Sequence, residues 1–371
     1  MEHLTTAFTK RTAGVLALED GHCFHGISVG YEGCSTGEVL FHTGMTGYQG
    51  VFTDPSYAGH IAAMTYPQIG NVGINPEDNE SDITPPLCGV LMRELSTKVS
   101  NWRATENLSD FFQRHEIVAL SEIDTRSITQ HLRTHGSQRA VIASGDWNTD
   151  ELIQKAKNAP RIEETDFIEH FTVSVPMEWS LSDMEVQPIY SKKIAVFDFG
   201  VKRSILRSLA SLGAKVIRIP ARTSADDVLK MQPDGVVLSN GPGDPARLGN
   251  VVNEVAKLIG KVPIFGIGLG HQILGKALGA ATHRLSFGHW GTQPVKNRLS
   301  GRVEMTPQNH NFCIVPVSLP PEVEVTHVNL HDGTVEGFRH KELPMMSVQF
   351  QPAGQHETAY LFEQFLRFDG N

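Results

Sequence analysis

The second half of the chain alternates short apolar strands with amphipathic helices, and this alternation restricts the fold more than any other feature. Strands that are joined one after another through helices run parallel, with the helices packed on both faces of the sheet. The sequence therefore predicts an α/β fold with a doubly wound parallel sheet. The predicted elements are strands over 193–199, 215–219 and 235–239 and helices over 201–212, 223–231 and 251–259.

The first third of the chain has a different pattern, in which short apolar runs are separated by clusters of Gly, Pro, Asn and Asp. Residues 14–21 and 24–30 predict a β-hairpin that turns at Asp20-Gly21. One helix is predicted over 123–133, because Asp124 can cap its start and Gly136 suits its end. Further strands are predicted at 37–41, 60–65 and 89–92. This part of the chain is predicted to be β-rich.

The change of pattern divides the chain into three parts. The β-rich domain is predicted over 1–150, and the α/β domain is predicted over 191–371. Between them, residues 151–190 have weak periodicity and many acidic side chains, which predicts a linker that ends near Tyr190.

Charge and cysteine content exclude several classes of partner and site. There are 32 Lys and Arg residues against 41 Asp and Glu residues, a net charge of −9 without a basic run, so nucleic acid and membranes are not expected as partners. The four cysteines form no C-x-x-C pair, and the H-E-x-x-H pattern that begins at His356 ends in Tyr360. We therefore predict no metal site and no cofactor. The absence of a secretory signal at the start of the sequence favours a cytoplasmic location.

The segment 262–274 carries the clearest chemical motif. It is an apolar strand that runs into glycines and then into a helix, but in neither register does it match the G-x-G-x-x-G pattern of dinucleotide-binding sites. It does match the frame of a nucleophile elbow, G-x-Nu-x-G, in which Gly266 and Gly270 flank Gly268. The frame is present, whereas the position of the nucleophile holds a residue without a side chain.

Several motifs together resemble the small, glutaminase subunit of carbamoyl-phosphate synthetase along essentially the whole chain. The resemblance implies a class I glutamine amidotransferase domain that in the family splits glutamine and passes ammonia to a large ATP-grasp subunit. The N-terminal domain resembles the one that holds the large subunit. The motifs are Leu18-Glu19-Asp20-Gly21, Met45-Thr46-Gly47-Tyr48-Gln49, Thr53-Asp54-Pro55-Ser56-Tyr57, Ile123-Asp124-Thr125-Arg126, Leu238-Ser239-Asn240-Gly241-Pro242-Gly243, Leu269-Gly270-His271-Gln272, Phe287-Gly288-His289 and Gln308-Asn309-His310.

The chain departs from this family at the positions of the catalytic triad. By the resemblance, Gly268 stands where the family has its nucleophilic Cys, Gln351 where it has the catalytic His, and Ala353 where it has the Glu. Glycine has no atom that can attack an amide, and a carboxamide cannot act as a general base. The resemblance therefore implies that no catalytic triad is intact.

The residues that contact glutamine in the family are partly retained. Two positions differ: Gly44 replaces a Ser that would hydrogen-bond to the substrate, and Asn311 replaces a Gly that lets the backbone approach it. Weak or absent glutamine binding is therefore expected. The matching positions are Gly241, Gly243, Leu269, Gln272, Asn309 and Phe312.

Three hypotheses remain open from the sequence. The chain is a non-catalytic small subunit that supports a large subunit using free ammonia, a glutaminase with unusual catalytic residues, or a released pseudoenzyme reused as a binding or regulatory module. The first is favoured, since the N-terminal motifs look intact, and it would serve arginine or pyrimidine biosynthesis. His271 and Cys313 are expected to be packed side chains rather than substitute catalytic groups.

Overall fold

The computed structural model describes residues 11–83, 85–181, 189–352 and 357–368, and every structural statement below concerns these residues. Over them the chain forms two compact units. The first unit takes the chain up to Met45 together with residues 59–76 and 87–159. The second unit takes residues 46–58, 77–86 and the chain from Pro160 onward.

The secondary structure is numbered in chain order. The strands are β1 (Ala13–Leu18), β2 (Cys23–Ser28), β3 (Cys34–His42), β4 (His60–Ile69), β5 (Gly89–Leu95), β6 (Ala119–Ser121), β7 (Gln138–Ser144), β8 (Met177–Trp179), β9 (Lys193–Asp198), β10 (Lys215–Pro220), β11 (Gly235–Leu238), β12 (Ile264–Ile267), β13 (Thr282–Asn297), β14 (Val303–Ile314), β15 (Val323–Asn329), β16 (Val335–His340) and β17 (Met345–Val348). The α-helices are α1 (Tyr48–Thr53), α2 (Leu108–Arg114), α3 (Thr125–His135), α4 (Thr149–Asn158), α5 (Arg203–Ser211), α6 (Ala225–Lys230), α7 (Gly249–Leu258), α8 (Leu269–Ala277) and α9 (Tyr360–Leu366).

The first unit is a closed β-barrel with the strand order β1-β2-β6-β5-β4-β3-β7. The predicted hairpin is confirmed, because β1 and β2 pair antiparallel from Ala13 opposite Ile27 to Ala17 opposite Cys23. The barrel closes where β1 pairs with β7. Consecutive residues of β1 and β7 are buried, so both faces of these two strands are covered.

The predicted helix of this unit is also confirmed. Asp124 accepts a hydrogen bond from the amide of Ser127 at 3.0 Å, and Gly136 ends α3 with φ 83°. Helix α4 was not predicted, because only Leu152 and Ala156 are buried on its apolar side, and Ile153 beside them is the one further apolar residue of the helix. These two side chains pack in an apolar cluster with Val15, Ala17, Val141 and Ala143. Tertiary burial, rather than a strong local pattern, explains this helix.

The second unit contains a ten-stranded sheet with the order β14-β13-β15-β16-β17-β12-β11-β9-β10-β8. Its central strands β10, β9, β11, β12 and β17 are parallel, and antiparallel strands flank them on both sides. Successive residues of β9 enter opposite cores: Ile194 and Val196 pack with α5 and α9, whereas Ala195 and Phe197 pack with α6, α7 and α8. The predicted doubly wound α/β fold is confirmed.

The described part of the segment 160–181 belongs to this second unit. Its strand β8 pairs antiparallel with β10, with Trp179 opposite Val216. No helix of the described chain is long and apolar enough to cross a membrane.

Candidate functional site

The centre of the candidate site is the turn between β12 and α8. Gly268 forms this turn with φ 58° and ψ −114°, a backbone conformation that residues other than glycine rarely adopt. Its amide donates to the carbonyl of Val348 at 2.9 Å. A Cβ atom added to Gly268 would lie 3.3 Å from Cβ of Asn240 and 3.4 Å from Nε2 of Gln351. An added Cβ atom would therefore be in tight contact with both neighbours, and the backbone angle also disfavours a side chain.

The glycines that flank the turn allow close backbone packing. A Cβ atom on Gly270 would overlap the carbonyl of Leu238, and one on Gly266 would lie 2.7 Å from the carbonyl of Gly270. The amide of Gly270 donates to the carbonyl of Ser239 at 2.9 Å. This hydrogen bond holds the elbow directly against the loop 239–243 that follows β11. Leu269, the residue after Gly268, begins α8.

Gly241 and Gly243 of this loop also depend on the absence of a side chain. A Cβ atom on Gly241 would overlap the carbonyl oxygen of Phe199, and Gly243 has φ 97°. Neither residue can be replaced without moving backbone or adopting a strained angle. The loop has the backbone geometry of a tight turn, and the elbow beside it offers no nucleophile.

The carboxamide of Gln351 takes the place beside Gly268 where an activating group would be needed. Gln351 is 3% exposed, and its backbone amide donates to the carbonyl of Pro307 at 2.9 Å. Oε1 of its side chain has no hydrogen-bond partner among the described residues. A carboxamide can donate and accept hydrogen bonds but does not take up a proton at neutral pH. Ala353, the third predicted triad position, lies outside the described residues.

Two other side chains of the second unit that could in principle take part in catalysis, His271 and Cys313, are packed in the interior. His271 is fully buried, with Nδ1 2.8 Å from Oγ of Ser347, and burial together with His327 lowers its pKa to about 3. Burial raises the pKa of the Cys313 thiol to about 12. At neutral pH His271 is an uncharged, weak base and Cys313 is a protonated thiol, so neither is prepared for acid–base or nucleophilic chemistry.

Two residues that are predicted to contact glutamine, Gln272 and Asn309, form hydrogen bonds to other residues of the protein through their side-chain amides. Gln272 donates from Nε2 to the carbonyl of Phe312 at 2.7 Å and to Oε1 of Gln349 at 2.9 Å. Asn309 donates to Oδ2 of Asp54 at 2.6 Å and accepts from the hydroxyl of Tyr57 at 2.8 Å. The structure therefore brings Gln272 and Phe312 together by a direct hydrogen bond and orients Asn309 through two partners.

The two substituted positions of the predicted pocket have distinct surroundings. Asn311 is buried, and its Oδ1 accepts from Nε1 of Trp290 at 3.3 Å. It also fills the space above Gly288, where an added Cβ atom would overlap Asn311 Oδ1. Gly44 belongs to the first unit, where an added Cβ atom would lie 2.5 Å from Nε2 of His42.

The second unit also contains a largely buried charged cluster around Lys202, which no sequence pattern indicated. Nζ of Lys202 lies 3.4 Å from Oδ2 of Asp54 and 3.5 Å from Oε1 of Glu80, while Asn240 donates to Oγ of Ser56 at 3.0 Å. Burial alone lowers the pKa of Lys202, but Glu80 and Asp54 raise it above its usual value. The motif that contains Asp54 was visible in the sequence, but its spatial partners were not.

A second buried network surrounds His289. Its Nε2 lies 2.9 Å from Oδ2 of Asp332, its Nδ1 lies 3.5 Å from Oε1 of Glu336, and His310 contacts Gln308 at 2.7 Å. Burial alone lowers the pKa of His289, but hydrogen bonds to Asp332 and Glu336 raise it to about 9. Ligand atoms of His289, His310 and Glu336 lie within 4.8 Å of one another. The hydrogen bonds among these groups account for their proximity, because the imidazolium of His289 lies between the buried carboxyl group of Glu336 and the exposed carboxylate of Asp332.

Comparison with known proteins gives matches over both units. Residues 16–142 match the family model described as carbamoyl-phosphate synthase small chain, CPSase domain, and residues 195–368 match that of class I glutamine amidotransferase. The chain is 47% identical over 370 residues to the carbamoyl phosphate synthase small chain of Synechococcus sp., covering 97% of this chain and 94% of the relative. It is 45% identical over 362 residues to the protein of the same name from Syntrophotalea carbinolica, covering 95% and 96% of the two chains. The Akkermansia muciniphila small chain is 46% identical over 359 residues, with the same coverage of 95% and 96%.

Proposed function

The chain belongs to the carbamoyl phosphate synthase small chain family, and from this premise we propose that it is a small subunit without glutaminase activity of its own. In this role it supports a large subunit that makes carbamoyl phosphate from ammonia, bicarbonate and ATP. It binds glutamine weakly or not at all. In this role the chain assembles with a large subunit, as the name of the relatives implies, and lacks only the hydrolysis of glutamine.

The observation that carries the proposal is the pairing of Gly268 with Gln351. Amide hydrolysis through a covalent intermediate needs a nucleophile at the elbow and a base within hydrogen-bond reach of it. The elbow position has no side chain, and the nearest functional group across it is a carboxamide 3.4 Å from where Cβ would lie. A nucleophile and its base are therefore missing together, which supports divergence rather than a single altered position.

Loss of substrate recognition is proposed on separate evidence. The amide group of Gln272 already donates two hydrogen bonds inside the protein, and both polar atoms of the Asn309 side chain have partners. Asn311 adds a side chain where the family has a glycine. A glutamine molecule would have to compete with internal hydrogen bonds and with this extra amide, and both reduce its affinity.

Retention of a large-subunit partner is proposed from the extent of the family match. Similarity extends over 97% of the chain rather than over the amidotransferase domain alone, and it includes residues 16–142. A module released from its partner would not need to keep this N-terminal domain. We therefore favour a working subunit over a released binding module.

Co-expression with a cognate carbamoyl phosphate synthase large subunit, or with that of Synechococcus, tests the proposal. We expect the two chains to elute together on size-exclusion chromatography. The complex should make carbamoyl phosphate with ammonia as nitrogen donor and should show no synthesis above background with glutamine. Calorimetric titration with glutamine should give no measurable heat.

The alternatives give different results in the same assays. Synthesis from glutamine at a rate comparable with that from ammonia would show an active glutaminase and overturn the loss of hydrolysis. Separate elution of the two chains at micromolar concentration, with no effect on ammonia-dependent synthesis, would favour a released module.

A further inference from the structure

A group of histidines surrounds Asp20 in the first unit, in the turn between β1 and β2. Oδ1 of Asp20 lies 3.1 Å from Nδ1 of His22, and Oδ2 lies 2.6 Å from Nε2 of His131 in α3. One possible ligand atom from each of these three residues lies within 4.8 Å of the others. The carboxylate thus sits between two imidazole nitrogens that come from different parts of the chain.

A third histidine extends this group along α3. His135 lies one helical turn after His131, and the two rings stack with centroids 4.3 Å apart. Nδ1 of His135 lies 3.0 Å from the carbonyl of His131, so this nitrogen donates to the backbone and leaves Nε2 on the other side of the ring. Pairs of histidines at positions i and i+4 share one helix face, a spacing that zinc-binding helices use.

The donor set determines which ion would fit. Imidazole nitrogens with a carboxylate suit zinc, copper or nickel, whereas magnesium and calcium prefer oxygen ligands alone. The side chain of His22 is 61% exposed and that of Asp20 is 28% exposed, which gives a hydrated ion access. His131 is 9% exposed and held in place by the helix, so one ligand is preoriented.

We propose that Asp20, His22 and His131 form a surface site for one zinc ion. Zinc would take the place of the hydrogen-bonded protons between the carboxylate and the rings. In a neutral ring the displaced proton would move through solvent to the nitrogen that faces away, and a doubly protonated ring would release one proton to solvent. Three protein ligands leave a fourth position for water, which is typical of open zinc sites. The bound ion would connect the β1–β2 turn to α3 and stabilise the first unit.

Zinc chloride titrated into the full chain, after treatment with a chelator, tests this proposal. Calorimetry should give one zinc ion per chain for the parent protein. We expect His22→Asn and His131→Asn to weaken binding by at least about tenfold, because each removes one of three ligands. The matched control is His25→Asn, an exposed histidine on β2 outside the cluster, which should bind as the parent does.

Thermal unfolding supplies a second measurement. A ligand that binds only the folded state raises the melting temperature, so at one zinc concentration the ion should stabilise His22→Asn less than it stabilises the parent and His25→Asn. His22 is mostly exposed, so its substitution should not prevent folding, and circular dichroism checks this for both variants. Equal zinc affinity in His22→Asn and His25→Asn, or no binding by the parent, would overturn the proposal.

Discussion

At Gly268 the backbone angle and the missing side chain have separate consequences. A Cys at this position would adopt φ near 58°, which costs on the order of 1–3 kcal/mol for a residue other than glycine. The thiol would also lack a base, because Gln351 is the group beside it. We therefore predict that Gly268→Cys is less stable than the parent and releases no ammonia from glutamine.

General acid–base assistance typically contributes about 10²–10⁴-fold, and the single variant lacks it. The comparison is the triple variant Gly268→Cys, Gln351→His and Ala353→Glu, assayed for ammonia release alongside urea unfolding of both proteins. If the single variant hydrolyses glutamine as fast as the triple one, Gln351 does not occupy the position of the lost base.

The ion pair of His289 and Asp332 predicts a pH-dependent contribution to stability. The pKa of His289 is about 9 in the folded protein, against an ordinary value near 6.5 for an unfolded chain. Because the folded value is the higher one, the stabilisation is fully present below about pH 6.5 and is lost as the pH rises through about 9. The free-energy difference between parent and His289→Gln should therefore be larger at pH 6.5 than at pH 9.5.

Urea unfolding at both pH values measures this difference, and His25→Gln serves as an exposed control that should show no such trend. An equal loss of stability at pH 6.5 and pH 9.5 would mean that His289 acts through packing rather than through its charge.

At the scale of elements, contact between α8 and β11 depends on Gly270. Any side chain there meets the carbonyl oxygen of Leu238, and backbone atoms cannot move aside as a flexible side chain can. We expect Gly270→Ala to destabilise the chain by at least about 2 kcal/mol, as for other overpacked interior sites. Loss of this packing would also displace the elbow.

Gly249→Ala is the matched control, since it too lies in a helix, α7, but an added Cβ atom would meet nothing within 4 Å. Alanine should change stability there by less than about 1 kcal/mol, and in the favourable direction, because it restricts the unfolded chain more than glycine does. Similar losses in both variants, measured by urea unfolding, would contradict the importance of the contact with Leu238.

At the scale of the whole molecule, two short segments from the first part of the chain belong to the second unit. Residues 46–58 and 77–86 supply Asp54 and Glu80, and Lys202 binds both carboxylates. Replacing this lysine would leave two buried carboxylates without their cation. We predict that Lys202→Met destabilises the protein by about 3–5 kcal/mol, the usual range when one partner of a buried ion pair is removed.

Lys215→Met provides the comparison, because Lys215 pairs with Glu178 at 3.0 Å while both side chains are more than half exposed. Surface pairs of this kind contribute at most about 1 kcal/mol. Urea unfolding of the two variants should give clearly different losses. Equal losses would show that the buried cluster does not hold these segments in place.

The sequence by itself determined the α/β fold, the hairpin of β1 and β2, and the elbow that lacks a nucleophile. These features are local: hydrophobic periodicity, turn residues and glycine spacing are properties of short stretches of chain. For the same reason the cap of α3 at Asp124 could be predicted. Helix α4 could not, because its few apolar residues, Leu152, Ile153 and Ala156, form a recognisable face only when they pack against the barrel.

Only the tertiary structure decided which distant residues meet. Asp20 and His131 are 111 positions apart, and Asp54 is more than a hundred positions from Lys202 and Asn309. No spacing rule connects such residues, because their proximity follows from strand order and closure of the sheets rather than from a local pattern. The sequence thus placed a glycine at the turn between β12 and α8, while the fold determined that Gln351 lies beside Gly268 and that the side chains of Asp20, His22 and His131 converge.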